Sequence, residues 1–290
     1  MPRDPSRPSG AQHAGDRPAS RRAGQVLYWS GIALLVFVMV LPFLWMVATS
    51  LMDELAVFAY PPPLVPRRPR LANYLEAWRA VPFGRFYLNS VVFALAVVVG
   101  QVTTSALAAY AFARLRFPGR DKLFVLCLGV LMVPGILLLI PRFLIINSLG
   151  WVDTYPGLIS TELVSVWGIF LLRQFFLSIP QELEDAARLD GASDWTIFTR
   201  IVLPLSKPAL ATLALFAFVD AWKNFQWPLI ATRSIEMRTV EVGIASFHSF
   251  YSSNWPYQMA AAVTAIAPIL LIFFLAQRYF VRGIQLTGLK

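Results

Sequence analysis

Residues 178–208 read SIPQELEDAARLDGASDWTIFTRIVLPLSKP and form a polar segment between two long apolar segments. A membrane-spanning helix needs about 20 mostly apolar residues, and each flanking segment reaches that length. The polar segment is too long for a tight turn and carries helix start and stop signals of its own. It is therefore predicted to lie at one face of a membrane, between two transmembrane helices.

The first half of this segment has the signals of a short helix. Ser178 and Gln181 have the S-x-x-Q spacing of a capping box, and Pro180 suits a first helical turn. Gly191 is predicted to end the helix, because glycine accepts the left-handed conformation common at helix C-termini. Negative charge near the positive end of the helix dipole comes from three side chains, those of Glu182, Glu184 and Asp185.

The second half predicts another short helix, capped by Ser193 and ending at about Val202, since Pro204 does not continue a helix easily. The two helices would lie against the cytoplasmic face. An ordinary amphipathic hairpin at the lipid interface is the alternative. The acidic first helix argues against it, because the cytoplasmic leaflet is itself negative. A protein partner is the better expectation.

Composition supports a membrane protein, with 57% hydrophobic and 14% charged residues against about 45–50% and about 25% in soluble domains. The net charge of +9 does not indicate nucleic-acid binding, because basic residues flanking membrane spans account for it. The one cysteine, Cys127, allows neither an internal disulfide nor a cysteine cluster for metal.

The predicted fold is an all-α membrane protein with six transmembrane helices, because irregular backbone cannot face lipid. Pro134 and Gly135 predict a kink in the third helix. The loop 178–207 is predicted to separate the fourth and fifth helices. The predicted spans are about 26–50, 86–113, 123–143, 156–177, 208–231 and 258–279.

Residues 1–25 are predicted to be a disordered, basic cytoplasmic tail, and 26–290 a single transmembrane domain. A signal peptide is the alternative, but the apolar run Val26–Leu51 is too long for one, which favours an uncleaved first span. Both termini are predicted to be cytoplasmic, since the short loop Arg114–Lys122 has four positive residues and one acid. The first outer loop, about 52–85, is predicted to hold a stiff Pro-rich stretch and a helix at Asn73–Trp78.

The polar segment resembles the EAA loop of ABC-importer permeases, whose pattern is E-A-A, three residues, G, then I-x-L-P. The matching positions are Asp185-Ala186-Ala187, Gly191 and Ile201-Val202-Leu203-Pro204. The flanking words are similar to the binding-protein-dependent carbohydrate branch, in particular to maltose-permease subunits of the G type. These words are Arg188-Leu189-Asp190-Gly191-Ala192, Leu203-Pro204-Leu205-Ser206, Trp227-Pro228-Leu229, Met237-Arg238-Thr239, Pro82-Phe83-Gly84-Arg85 and Gln277-Arg278-Tyr279-Phe280.

The resemblance implies a type I ABC-importer permease fold in the cytoplasmic membrane and the import of a sugar or related polyol. The implied partners are a second, homologous permease subunit, two ATPase subunits and an extracytoplasmic solute-binding protein, with ATP and Mg²⁺ on the ATPases. It implies that the loop contacts the ATPase, with Gly191 as the fulcrum and Glu184 and Asp185 as charge contacts. The implied coupling residues are Glu184, Asp185, Ala186, Ala187, Asp190, Gly191, Leu203 and Pro204.

Two positions depart from the family pattern. Asp185 stands where the family has glutamate, so its shorter arm would loosen a salt bridge to the ATPase. Where many members have W-N-E-F, this chain has Trp222-Lys223-Asn224-Phe225, so the family's carboxylate is lost and no role transfers from it.

Lys223, Asn224 and Gln226 are candidates for the solute pathway. A charge within a span usually faces a cavity or a partner. The alternative for Lys223 is a position at the outer end of the helix, with the ammonium reaching the interface. Asn224 and Gln226 are expected to hydrogen-bond solute hydroxyls.

Enzyme and metal sites are not predicted, since His13 and His248 are not in a ligand motif and no G-x-S-x-G elbow is present. No phosphate-binding loop of the G-x-x-x-x-G-K-[ST] type is present, so ATP is expected to bind a partner chain. A stand-alone secondary transporter or channel is the alternative function. It is disfavoured because no intramembrane acid is evident.

Overall fold

The computed structural model describes residues 18–61, 63–247 and 254–287, with side chains described for 24–61, 63–247 and 254–275. Within these ranges the chain is all-helical and has no strand. In chain order the α-helices are α1 (Pro18–Ser50), α2 (Glu54–Val57), α3 (Ala72–Ala80), α4 (Phe83–Arg114), α5 (Arg120–Gly129), α6 (Leu139–Ser148), α7 (Tyr155–Ser160), α8 (Val166–Leu177), α9 (Glu182–Leu189), α10 (Asp194–Ile197), α11 (Leu203–Leu205), α12 (Lys207–Trp222), α13 (Gln226–Ala231), α14 (Val240–Ala245) and α15 (Trp255–Thr287).

Three of these helices are long and apolar enough to cross a membrane, namely α1 from Gly24, all of α4, and α15 up to Leu275. Two bent helix pairs have the same composition, which raises the number of candidate spans to at most five within the described residues. The membrane-protein class and the all-helical fold are confirmed. The count of six spans stays a prediction.

The two bends fall where the backbone ladder of hydrogen bonds is interrupted. The chain turns by 95° between Met132 and Gly135, which confirms the kink predicted there, because Pro134 has no N–H to donate. A second bend of 77° separates the segment that ends at Leu205 from α12, which begins at Lys207.

Two predicted spans are each interrupted by a non-helical segment. The span 156–177 is divided between α7 and α8, because the hydroxyl of Ser165 accepts a hydrogen bond from Gly168 N at 3.1 Å and so starts a new helix. The span 208–231 is divided between α12 and α13 after Lys223. The apolar composition of both stretches concealed these breaks.

At the N-terminus, α1 begins at Pro18, so the predicted boundary between residues 25 and 26 lies inside this helix. Residues 1–17 of the predicted tail and the final residues 288–290 lie outside the described residues. The short helix predicted at Asn73–Trp78 is observed as α3. It is attached to the end of α1, since the buried Asn73 Nδ2 donates to the carbonyl oxygens of Ser50 and Met52, both at 2.9 Å.

The helix α4 is the centre of the fold. It packs against α8 and α12 along its length, and α15 packs against α12 and α1. The buried apolar side chains form three clusters, one at each end of α4 and one at its middle. The end near Arg114 includes Leu172 and Phe176, the middle includes Trp222, and the end near Phe83 includes Phe86. Each of the three clusters is therefore attached to a different part of α4, namely one of its ends or its middle.

Asn89 of α4 fixes the segment that follows α13. It is fully buried, its Nδ2 donates to the carbonyl oxygens of Glu236 (2.6 Å) and Arg238 (2.9 Å), and its Oδ1 accepts from the Tyr155 hydroxyl (2.7 Å). We expect Asn89→Leu to leave these three groups unpaired, at about 1–3 kcal/mol for each buried group. The detergent-solubilised variant should unfold at a lower temperature and be cleaved faster by trypsin after Arg238.

The matched control is Tyr155→Phe, which removes only one of the three hydrogen bonds and should have a smaller effect in both measurements. Equal stability of Asn89→Leu and the unmodified chain would contradict the role given to Asn89.

Candidate functional site

The polar segment 178–207 forms two short helical units joined at Gly191, as predicted. Gly191 is left-handed with φ +80°, and its N–H bonds to the Arg188 carbonyl oxygen at 3.0 Å. Ser193 caps the second unit by accepting a hydrogen bond from Thr196 N at 3.3 Å. The helix end, the glycine joint and the second cap are therefore confirmed. We call α9, the joint and the helical turns up to Leu205 the coupling segment.

The predicted capping box at its start is wrong. Ser178 belongs to the end of α8, and its hydroxyl donates to the Phe175 carbonyl oxygen at 2.7 Å. The residue that precedes α9 is Gln181, whose side chain makes no capping hydrogen bond. The S-x-x-Q spacing gave a wrong prediction because α8 continues to Leu177. Ser178 therefore bonds to the preceding turn of α8 and does not cap α9.

The predicted end of the second unit at Val202 is also wrong. A π turn over Phe198–Val202 follows α10 and leads into α11, which ends at Leu205. Pro204 is accommodated in the first turn of α11, where a missing N–H costs little. The chain bends after Leu205, at the fully buried Ser206.

Glu184, predicted to contact another subunit, is fully buried within the chain. Its carboxylate pairs with Arg114 Nε at 2.8 Å and with Arg188 Nη2 at 3.6 Å. Burial raises the pKa of Glu184, and the two guanidiniums oppose that shift. Its burial does not fit a direct contact with a partner, which corrects the expectation for this residue.

Asp185 is an exposed acid of α9, with a side chain 58% exposed that pairs with Arg188 Nη1 at 3.2 Å. Arg188 also reaches Asp194 at 3.3 Å, so this one side chain connects the two helical units. The other predicted coupling residues divide between surface and core. Ala186, Asp190 and Pro204 are exposed, whereas Ala187 and Leu203 pack against the buried cluster.

Two exposed apolar side chains of the coupling segment were not predicted. Leu189 is 90% exposed and Trp195 is 65% exposed. They lie on either side of Gly191, next to the charged group formed by Asp185, Arg188 and Asp194. Protein interfaces combine apolar side chains with a polar rim, and this part of the coupling segment has that composition. No sequence signal distinguished these two exposed side chains from the apolar residues of the same segment that are buried, such as Ile197 and Val202.

The candidate pathway residues Lys223, Asn224 and Gln226 are brought together around one cavity of ≈ 770 Å³. Three interruptions of the helices meet there, at 133–134, 161–165 and 223–225. We call this cavity the cleft. Broken helices around a cavity are how membrane proteins present polar backbone and side chains without exposing them to lipid.

The cleft contains two acids, Glu162 and Asp220, so the expectation that the spans hold no acid is wrong. Both lie inside predicted spans and are visible in the sequence as acids within apolar runs. Glu162 forms an ion pair with Arg142, which also donates to Thr161 Oγ1 at 2.7 Å. Lys223 and Asp220 make no ion pair within 4.0 Å among the described residues, and both line the cleft, although the charge of Lys223 also acts on Glu241 of α14.

Arg142, which lies in the predicted span 123–143, is part of the cleft wall. Its guanidinium lies 4.3 Å from the centre of the Trp227 ring, and Trp227 Nε1 donates to the Leu158 carbonyl oxygen at 2.9 Å. Asn224 Oδ1 accepts from Trp227 N at 3.2 Å. The wall is thus fixed by contacts within the chain, while Asp220, Lys223 and Gln226 present donors and acceptors suited to hydroxyl groups.

Comparisons with known proteins agree with this geometry. The family model described as binding-protein-dependent transport system inner membrane component matches residues 101–286. The chain is 33% identical to the arabinooligosaccharides transport system permease protein AraQ of Halalkalibacterium halodurans, over 93% of this chain and 99% of the relative. It is 35% identical to the sn-glycerol-3-phosphate transport system permease protein UgpE of Rhizobium meliloti, over 93% of this chain and 98% of the relative.

Among solved structures, a chain of a bacterial ABC transporter involved in the import of the acidic polysaccharide alginate superposes with a TM-score of 0.80 at 22% identity. The alignment covers 94% of this chain and 100% of that one. At this level of identity the likeness shows a shared fold.

Proposed function

The chain belongs to the family of inner membrane components of binding-protein-dependent transport systems, and from this membership we propose how it works as the permease subunit of an ABC importer. The coupling segment is the observation that carries the proposal. It joins two helical units at a left-handed glycine, is tied to the end of α4, and exposes an apolar and charged surface. Such a surface suits a partner subunit that supplies the energy.

The proposed substrate is a sugar or related polyol. Two relatives are named for arabinooligosaccharides and for sn-glycerol 3-phosphate, and the related structure for alginate. The cleft supports this class, since its free side chains offer hydrogen-bond donors and acceptors and its wall holds Phe216, Phe225 and Trp227. Aromatic faces beside polar groups suit the alternating apolar and hydroxyl surfaces of sugars.

The proposed assembly contains this subunit, a second homologous permease subunit, two ATPase subunits and an extracytoplasmic solute-binding protein. ATP and Mg²⁺ are assigned to the ATPases, because this sequence has no phosphate-binding loop. The long apolar helices α1, α4 and α15, together with the family's description as an inner membrane component, support a location in the cytoplasmic membrane.

We assign six spans to the subunit and place both of its termini in the cytoplasm. The basic loop Arg114–Lys122 and the coupling segment lie at the same end of α4. Arg114 ends α4, begins this loop, and pairs with Glu184 of the coupling segment. Excess Lys and Arg mark the cytoplasmic side. A contact between the coupling segment and a cytoplasmic ATPase requires the same orientation.

The proposed mechanism is a population shift driven by ATP. Closure of the ATPase dimer moves the coupling segment, and the spans pass from an inward-facing to an outward-facing arrangement that accepts solute from the binding protein. ATP has this effect because it binds the two states unequally. In this mechanism Asp185, Ala186, Asp190 and Gly191 form the contact surface, with Leu203 and Pro204 at its far end.

The test is to purify the tagged chain in mild detergent, identify its companions, and reconstitute the complex in proteoliposomes with its binding protein. We expect an ATPase and a second permease to co-purify, and labelled arabinotriose or sn-glycerol 3-phosphate to accumulate only with ATP. Ion-driven uptake by the chain alone would instead support a stand-alone transporter. In that case Asp220 and Lys223 in the cleft would be the candidate residues for binding the coupling ion.

Asp185→Lys is expected to reduce the amount of ATPase that co-purifies, because it reverses the exposed charge of α9 and repels Arg188. Loss of one charge contact at such a surface is worth about 1 kcal/mol, or about fivefold in affinity. The matched control is Asp121→Lys, which changes an acid that is 75% exposed in the first turn of α5. Equal co-purification of the Asp185 variant and the unmodified chain would remove Asp185 from the contact surface.

A further inference from the structure

Arg114, the last residue of α4, contacts two other helices with one side chain. Its side chain is 8% exposed. Nη2 donates to the carbonyl oxygens of Phe176 (2.7 Å) and Ile179 (2.6 Å), at the end of α8 and just beyond it. Nε lies 2.8 Å from Glu184 Oε1 on α9. The guanidinium therefore joins α4, α8 and the first helix of the coupling segment.

Glu184 depends on this contact for its charge. Both of its oxygens are buried and make no hydrogen bond of ordinary geometry, so the carboxylate is balanced by the charges of Arg114 and Arg188 alone. A buried carboxylate without such partners is costly. Any movement of α9 must therefore carry the Arg114 guanidinium with it or separate a buried ion pair.

The second half of the coupling segment is attached one turn earlier on α4. The Tyr110 hydroxyl donates to the Asp194 carbonyl oxygen at 3.2 Å, and the ring of Tyr110 lies 4.9 Å from that of Phe198. Residues four apart share one face of a helix. Tyr110 and Arg114 thus form a single face of α4 to which both halves of the coupling segment are attached.

We propose that Arg114 is the positioning residue that transmits displacement of α9 to α4 and α8 during transport. This inference rests on the proposed function, since it assigns a path to the movement that the ATPase imposes. The guanidinium suits the role because its planar fork holds a carboxylate and two carbonyl oxygens at once. The contacts lie at the negative end of the α8 dipole, where a cation is also favoured.

The test compares Arg114→Lys with Arg116→Lys in the reconstituted importer. Lysine keeps the charge beside Glu184, but its ammonium is a compact point charge on a flexible stem. It lacks the rigid planar fork by which the guanidinium holds the carboxylate and both carbonyl oxygens in fixed directions. Arg116 is the matched control, since its exposed side chain makes no hydrogen bond or ion pair among the described residues. Three quantities are measured for each, namely the yield of assembled complex, ATP hydrolysis with and without binding protein, and uptake of labelled arabinotriose per ATP hydrolysed.

For Arg114→Lys we expect assembly and hydrolysis within about twofold of the unmodified complex and about tenfold less solute per ATP, the size of a typical coupling between distant sites. Hydrolysis should also lose its dependence on the binding protein. Glu184→Gln removes the buried carboxylate charge but keeps an amide oxygen beside Arg114, whose two carbonyl acceptors remain, and it should show the same loss of solute per ATP. Arg116→Lys should match the unmodified complex.

A purely structural role gives a different result. Uptake would then fall only in step with the yield of assembled complex, and solute per ATP would stay constant in both variants, which would overturn the proposal. Absence of ATP-dependent uptake by the unmodified complex would instead contradict the proposed function, before any variant of Arg114 is compared.

Discussion

Gly191→Val is expected to remove most ATP-driven solute uptake while the subunit still inserts in the membrane. Gly191 has φ +80°, a region that costs an L-residue about 1–2 kcal/mol and a β-branched residue more. Since about 1.4 kcal/mol is a tenfold change in an equilibrium, strain at the joint should reduce uptake at least about tenfold. The measurement is uptake of labelled arabinotriose in proteoliposomes, normalised to the amount of subunit present.

Gly191→Asn is the matched control for this prediction. Asparagine tolerates the left-handed conformation, and no heavy atom lies within 4 Å of a β-carbon built at Gly191. This variant should retain most of the uptake. Gly191→Asp has similar backbone tolerance and adds a charge. If uptake is lost in Gly191→Asp but not in Gly191→Asn, the effect of the aspartate lies in a contact with a partner. Full uptake by Gly191→Val would contradict the role given to the left-handed conformation of Gly191.

Arg142→Leu is expected to destabilise the subunit by about 3–5 kcal/mol, because it leaves the Glu162 carboxylate buried without its partner. The side chains of Arg142 and Glu162 are 23% and 16% exposed, so water compensates for little of the loss. Glu162→Leu should be similarly harmful through the guanidinium left behind. The measurement is the unfolding temperature in detergent together with the yield of assembled complex.

The double variant Arg142→Leu/Glu162→Leu separates folding from transport. Replacing a whole buried ion pair by apolar residues is often neutral for stability, so the double variant should regain most of the stability lost in either single variant. Its cleft would lack one polar wall, and uptake should stay low. Normal uptake by the double variant would exclude the pair from the solute pathway. Single variants as stable as the unmodified chain would contradict its structural role.

The joint of the coupling segment was predictable because Gly191 and Ser193 act through their own backbone and nearest neighbours. The start of α9 was not predictable from local signals. The packing of α8 sets where that helix ends, and Ser178 bonds to the last turn of α8 instead of capping α9. Local signals decide where a helix ends only if the capping residue is not already bonded to a neighbouring helix.

The break after Ser160 was missed for a related reason. Hydropathy over 156–177 is high throughout, and the cap at Ser165 is a short signal inside that run. The charged cleft was recognised in part, through Lys223, because a single lysine in a span is conspicuous. Glu162 belongs to the same site only through its ion pair with Arg142, a residue distant in sequence, and such a pairing is set by the tertiary fold.

The position of α1 has a consequence for how this subunit tolerates sequence change. The most apolar part of α1 has no buried residue, whereas Phe83, Phe86 and Phe93 of α4 are almost completely enclosed. Within this subunit α1 therefore requires only that its side chains be apolar, whereas the enclosed positions of α4 require side chains of particular shapes. Exchanges among leucine, valine and phenylalanine should accumulate freely over evolutionary time in the first helix, while the same exchanges at the enclosed positions of α4 would disturb the packing around them.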